Sequence, residues 1–445
     1  MTAAAPRTAD AAGMDAGREH DPPRSRLRSI VGGATGNFIE WFDWFVFVSF
    51  ALYFSPIFFP AGDRTVQLLQ SAAILALGFV MRPLGALLFG LYADRRGRRA
   101  ALTLSVGLMC AGSCIIALAP GYAEIGLAAP ALLLVARLLQ GLSVGGEYGA
   151  SATYISEMSG RDRRGFWSSF QCVTLVLGQL AALCLLLALQ ALLSDAAMRA
   201  WGWRLAFLIG AALAVVVLRL RISLSETEAF RQARTTAAQP SAARHLLSRH
   251  RRATWLVFGL TAAGSTGFYV FIGYSQKFLV NTAGFSAMEG TAITASALLL
   301  FLLAQPLFGL LSDVIGRRRT MMLSFGLCAA LTVPIMRALA VATDPVAASL
   351  LLSVLLLSFS GYSAIGAIVK AELYPAPIRA LGVGLPYAIA NALFGGLGEF
   401  AALWFKRIGH ESGFFLFLAL MMLAGLAVAW CLPETRDTGP MAEEI

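Results

Sequence analysis

The sequence predicts an all-α membrane protein, with twelve transmembrane helices in two six-helix repeats. Three observations lead there. The 445-residue chain is 58% hydrophobic and 13% charged, whereas a soluble domain averages about 25% charged residues. Its apolar residues gather into runs of bilayer length, about 20 residues each. A charged stretch, GLYADRRGRR at 90–99, returns as GLLSDVIGRRR at 309–319 and sets Asp94 and Asp313 219 positions apart, close to half the chain.

Residues 1–28, rich in Ala, Asp and Arg, read as a disordered cytoplasmic tail. The first run, 30–57, is too long for a signal-peptide core and lacks a small-residue cleavage site, so it reads as a retained span. Span 68–92 is closed by Arg95, Arg96, Arg98 and Arg99, and span 100–119 follows. Span 131–157 is closed by Arg161, Arg163 and Arg164, and spans 166–192 and 203–219 complete the first half. A linker at 220–253 holds seven arginines, from Arg221 to Arg252. The second half reads as 254–280, then 288–312 with Arg317, Arg318 and Arg319 behind it, then 320–340, 346–372, 381–405 and 412–432. Loops on the other side carry only Arg64, Arg199 and the Lys406–Arg407 pair. Arginine on alternate loops is the positive-inside pattern, and it places both termini in the cytoplasm. The expected organisation is a tail at 1–28, a six-helix bundle at 29–219, a cytoplasmic linker at 220–253, a second bundle at 254–433 and a cytoplasmic tail at 434–445. Parallel repeats joined by a basic linker are a transporter layout, with substrate held between the halves.

Composition excludes other classes. The net charge of +10 lies in these loops and not in a nucleic-acid-binding patch. The six cysteines sit in apolar runs without metal-ligand spacing and read as small buried hydrophobes. None of the four histidines lies in a span, and the chain contains no HExxH, P-loop or GxSxG motif. No segment is long enough for a soluble catalytic or signalling domain. No metal, cofactor or enzymatic activity is expected.

The repeated G-x-x-x-D-x-x-G-R-R pattern and RLLQG at 137–141 resemble signatures of the major facilitator superfamily. GNFIEWFDWFVF (36–47), VMRPLGALLFG (80–90), ARLLQGLSVGGEYGASATYISE (136–157), WGWR (201–204), KFLVNTAG (277–284) and RALGVGLPYAIANALFGG (379–396) resemble its metabolite:proton symporter family along nearly the whole chain. Arg96, Trp44 and Pro386 depart from residues usual at those places. The resemblance implies the major facilitator fold and proton-coupled import of a dicarboxylate, α-ketoglutarate, across the bacterial inner membrane by a monomer. It implies a gate-latching role for Asp94 and its neighbours Gly97 and Arg98, repeated in Asp313 and Arg317. A topogenic turn with positive-inside charges accounts for the same residues.

Ionisable groups inside a span are costly and usually functional. Glu40 lies about 16 Å into the first span, near mid-membrane, with Asp43 and Asn37 three residues to either side. The spacing predicts a stripe facing an internal cavity. A carboxyl in a dry cavity favours its neutral form, and a nearby guanidinium restores the anion, so Glu40 or Asp43 is a candidate proton carrier. One of them as a fixed counter-ion is the alternative. Arg82 lies about 18 Å from the cytoplasmic end of its span and either grips the substrate or neutralises Glu40. Arg137, counted about 30 Å from Glu157, is placed in the outer part of its span with Gln140 one turn below, as a second anion clamp or a structural partner of a first-span acid. Gly141, Gly145 and Gly149 read as a packing seam, and Glu147 is a reserve proton site. The second half reads as mostly neutral at mid-depth, with Tyr269, Gln305, Tyr387 and Asn391. Lys277 and Lys370 lie near span ends, where snorkelling is the default. Gln171, Gln179, Tyr269, Lys370 and Asn391 complete the candidate substrate contacts. Other cargoes open to such a chain are citrate, shikimate or a zwitterion such as betaine or proline, the last favoured by an aromatic cage. Two deep arginines favour an anion. A sensor without transport is the reading from another class.

Overall fold

A computed structural model describes residues 23–96, 98–145, 163–223, 249–375 and 378–438, and its regular elements are helical. Twelve apolar helices follow in order: α1 (Pro23–Phe58), α2 (Arg64–Arg96), α3 (Arg98–Leu118), α4 (Ala128–Val144), α5 (Arg164–Leu192), α6 (Trp203–Ser223), α7 (Arg251–Asn281), α8 (Ala287–Ile315), α9 (Arg317–Ala340), α10 (Pro345–Glu372), α11 (Arg379–Arg407) and α12 (Glu411–Trp430). Ten are long and apolar enough to cross a bilayer, and the shorter apolar stretches Thr103–Leu118 and Ala128–Val144 supply the other two. The described part of α1 reaches from Pro23, inside the stretch expected to be a tail. The Glu147, Gly149 and Glu157 positions and linker residues 224–248 lie outside the described residues.

Local sequence sets the ends. Ser286 accepts from the Glu289 backbone N–H and Glu289 answers to Ser286, a reciprocal cap that starts α8. Asp344 caps α10 ahead of Pro345. Gly316 joins α8 to α9 at φ +96°, a conformation in which a Cβ is strained. The helices α7 and α11 each widen into one π-helical segment at mid-length, Phe268–Tyr274 and Asn391–Gly395, a distortion frequent at functional sites.

Burial sorts the helices. The membrane-length windows of α1, α7 and α10 are 83–89% buried, against 39% for α6, α8, α9 and α12, so the first group forms the centre and the second faces outward. Within the first half α1 packs on α5 and α6, and α2 on α4. Within the second, α7 packs on α12 and α11, and α9 on α12 and α10. The halves meet where α5 lies along α8 and α10, and where α2 lies along α11. The predicted seam is real for two of its glycines. A Cβ on Gly141 would collide with the Gly78 carbonyl, and one on Gly145 with Arg82 and Ala86 backbone atoms, so α4 rests on α2 backbone to backbone. The cysteines are free thiols, but Cys184 and Cys431 are exposed, not buried as expected. An apolar run that faces outward holds a small hydrophobe as readily as a core does.

Candidate functional site

The predicted stripe on α1 divides. Asn37 donates to Thr174 Oγ1 on α5 at 2.8 Å and accepts from Trp41 Nε1 at 3.0 Å. Asp43 points elsewhere, accepting from Ser113 on α3 and, at 2.7 Å, from Gln140 Nε2 on α4. Six residues of helix turn about 600°, which leaves two side chains roughly 120° apart, so no single cavity receives both. Gly210 on α6 completes the Asp43 chamber; a Cβ there would sit 2.7 Å from its Oδ1. Glu40 is buried between them, at 6% exposure.

Arg137 extends the Asp43 chain, donating from Nη1 to Gln140 Oε1 at 2.8 Å. Its guanidinium lies 3.9 Å from the Trp44 ring and 4.2 Å from Phe47. Arg82 approaches the same indole at 4.3 Å, with Phe79 at 4.1 Å. One indole thus offsets part of the charge of two buried cations. The expected outer position of Arg137 is corrected to mid-depth. Measured from Ala128, where α4 begins, Arg137 lies about 14 Å in; the count from Glu157 used a span longer than the membrane. Neither guanidinium has a carboxylate at ion-pair distance among the described residues, and Nε and Nη2 of both lack a hydrogen-bond partner there. Arg82 makes no direct ion pair with Glu40 among the described residues.

Arg82 instead crosses between the halves, donating from Nη1 to Tyr269 Oη on α7 at 3.1 Å. Beside this bridge a cavity opens between the halves. Trp41 of α1 and Ser168, Gln171 and Cys172 of α5 form one wall; Phe268, Tyr269, Tyr362, Ser363, Lys370 and Tyr387 form the other. Lys370 is 1% exposed and does not snorkel. Its Nζ donates to Tyr362 Oη at 3.4 Å and lies 4.9 Å from the Tyr387 ring. Asn391 donates to Tyr387 Oη at 3.4 Å. Gln179 donates to the Ile272 carbonyl at 2.7 Å, holding an α5 side chain against the π segment of α7. Of the predicted contacts, Tyr269, Lys370 and Gln171 line the cavity, while Asn37, Arg137, Gln140, Gln179 and Asn391 stand behind its walls.

The second half is not neutral at depth. Lys277 does not snorkel either; it forms an ion pair with Glu399 at 2.5 Å, both nearly fully buried. Gln305 is bonded within its own half, to Phe301 and Ser363.

At the arginine-rich ends, the Asp313 carboxylate accepts from the backbone N–H groups of Gly165 and Phe166 at 2.8 and 2.9 Å. It thereby ties α8 of the second half to the first turn of α5, where a carboxylate is favoured by the unpaired amides and the helix dipole. Arg317 holds Asp313 at 2.7 Å and faces Glu372 at 3.6 Å. Glu434 accepts from the backbone N–H groups of Arg317 and Arg318, and Thr435 donates to Glu372 at 2.5 Å. In the first repeat, Asp94 lies in the last described turn of α2 and Arg98 is the first residue of α3; their side chains and Gly97 lie outside the described residues.

The fold has counterparts. A family model described as "Sugar (and other) transporter" matches residues 30–254 and again 231–439. The chain belongs to that family of the major facilitator superfamily. Among its relatives, the transporter is 52% identical over 409 residues to an α-ketoglutarate permease of Escherichia coli strain K12, covering 92% of this chain and 94% of that one. It is 34% identical to a citrate-proton symporter of Salmonella typhi, covering 96% and 99%. It is 31% identical to a glycine betaine/proline/ectoine/pipecolic acid transporter of Dickeya dadantii, covering 93% and 84%. The xylose transporter of E. coli, in a partially occluded inward-open conformation, superposes with a TM-score of 0.74 at 17% identity, covering 93% of this chain and 99% of that one. The chain is a multi-pass membrane transporter with the all-helical major facilitator fold.

Several parts of the transporter's site escape the sequence reading. Glu399 lies inside a predicted span and is found by the same rule that singles out Glu40. Ser113, Trp44 and Tyr362 carry no such signal, because a serine or an aromatic residue in an apolar run is ordinary until packing turns it toward a charge.

Proposed function

We propose that the transporter imports α-ketoglutarate together with protons across the bacterial inner membrane, by alternating access of its halves, as a monomer with both termini in the cytoplasm. The observation that carries this reading is the pair of buried cations at one inter-half cavity, Lys370 in its wall and Arg82 behind Tyr269 and Trp41. The two carboxylates of the cargo meet different anchors. One engages Lys370 with the Tyr362 and Tyr387 hydroxyls; the other takes the free N–H groups of Arg82, whose planar fork matches a carboxylate. Asn391 and Gln179 position the walls, and Asn37 fixes Trp41.

The cavity has about 70 Å³ open to water-sized molecules, room for roughly five waters. A five-carbon dicarboxylate needs more, so loading requires the halves to separate, with Asp313, Arg317 and the Asp94 repeat acting as latches on the cytoplasmic face. Import of a dianion against an inside-negative potential costs about 2.3 kcal/mol per charge per 100 mV, and co-transported protons cancel that cost. Asp43 is the proton carrier. Protonation alters its bonds to Ser113 and Gln140, and Gln140 passes the change to Arg137. Glu40 serves the same chamber as the alternative carrier.

The deciding experiment is uptake of labelled α-ketoglutarate into proteoliposomes, with and without an inward proton gradient, in competition with citrate, shikimate and betaine. Gradient-driven uptake blocked by unlabelled α-ketoglutarate alone is the expected result. Uptake indifferent to the gradient removes the proton assignment, and inhibition by betaine or citrate at equal concentration changes the cargo.

A further inference from the structure

A second cavity, of about 540 Å³, lies far from the transport path, at the arginine-rich ends of α8, α9 and α12. Among the described residues its rim carries Arg318, Arg319 and Arg436 against one acid, Glu434. Both Glu434 oxygens accept from backbone amides, at 2.8 and 3.2 Å, and among the described residues three guanidinium groups against one carboxylate give the rim an excess of positive charge. The Arg318 guanidinium stands 5.6 Å from the Trp430 ring, and its Nε has no hydrogen-bond partner among the described residues. Arg319 is exposed.

Val314, Ile315, Met322 and Trp430 give this cavity an apolar side, and exposed apolar residues continue from it along α8. Val314 lines it at 77% exposure, and Leu310, Leu307 and Leu303 follow on the same face of α8, each exposed. Trp430 is 63% exposed, where an indole suits the boundary between hydrocarbon and headgroups. A site with a cationic rim and a long apolar track matches an amphiphile that has an anionic head. A soluble anion would leave the track unused.

We propose that this groove binds an anionic phospholipid, its phosphodiester held by Arg318, Arg319 and Arg436 and an acyl chain laid along α8. Basic pockets between membrane helices recognise lipid headgroups in this way. The bound lipid touches Gly316 and Glu434, which hold the first turn of α9, one residue from the Arg317–Asp313 pair. Occupancy therefore stiffens the anchor of the latch on α5. The inference is independent of cargo, coupling and orientation.

Native mass spectrometry of the purified full-length protein tests it, titrated with phosphatidylglycerol and with phosphatidylcholine. The wild type is expected to retain phosphatidylglycerol preferentially. Preference should fall by about fivefold for each arginine removed in Arg319→Gln and in the double variant Arg318→Gln/Arg319→Gln. It should persist in Arg249→Gln/Arg251→Gln, which removes two exposed arginines elsewhere on that face. Equal loss in that control, or no loss in the double variant, overturns the proposal. Inorganic phosphate is expected not to displace the lipid; displacement would make this a site for a free anion. A second measurement avoids the arginine variants. Phosphatidylglycerol with brominated chains should quench wild-type fluorescence more than brominated phosphatidylcholine does, and Trp430→Phe should remove the difference. Equal quenching by the two lipids in the wild type overturns the proposal as well.

Discussion

Asp43 and Glu40 are neighbours on one helix with different tasks. Asp43 is enclosed by Ser113, Gln140 and Gly210, so its charge state is read by α3 and α4. Asp43→Asn is expected to abolish accumulation driven by a proton gradient while leaving exchange of external for internal substrate, measured in the same vesicles. Glu40→Gln is expected to retain gradient-driven accumulation; if it alone loses it, the proton belongs to Glu40. Lys370 and Arg82 are tested through affinity. A charged hydrogen bond is worth about 1.5–3 kcal/mol, so Lys370→Gln should raise the substrate KM by about 10- to 150-fold. Arg82→Lys should weaken uptake by at least about tenfold, since a point charge keeps the sign but not the fork. Unchanged KM in either variant removes that residue from the site.

The seam between α2 and α4 carries both deep arginines, one on each helix, and their spacing across Trp44 depends on backbone contact at Gly141 and Gly145. Gly141→Ala forces the helices apart against a carbonyl, an overpacking cost of roughly 1–3 kcal/mol. It is expected to lower the melting temperature of purified protein and to slow uptake together. The Gly316 turn is a second such point. A side chain there is strained at φ +96° and meets Glu434, so Gly316→Ala should destabilise by about 1–2 kcal/mol and loosen the α9 cap. A melting curve identical to wild type would show that the turn adopts another conformation.

For the molecule as a whole, the question is how the halves separate. Asp313 bonds two amides of α5 from the opposite half, and Cys172 lies in the cavity wall nearby on α5. With Cys172 as the sole cysteine, Asp313→Asn is expected to speed its alkylation from the arginine-rich face, and α-ketoglutarate to slow it. Alkylation unchanged by the substitution would deny Asp313 a latching role; alkylation unchanged by substrate would place the cargo elsewhere.

Sequence pattern was enough to set the class, the twelve helices, the repeat and the placing of Glu40, Asp43 and Arg82 inside apolar helices. Hydropathy and helical rise act residue by residue along one chain, so a run of apolar residues announces a span and a charge within it announces a cost. Count errors followed where a span end was misjudged, as for Arg137, or where a lysine near a span end was given to the interface, as for Lys277 and Lys370. Side-chain partners came from packing. Asn37 and Asp43 part company because the rotation of α1 presents one to α5 and the other to α3 and α4. Arg82 finds Tyr269 187 positions away, and Lys277 finds Glu399 122 positions away. Such pairings depend on how twelve helices turn and cross, and no local pattern records that, because the energy that fixes each rotation comes from its neighbours and not from its own residues.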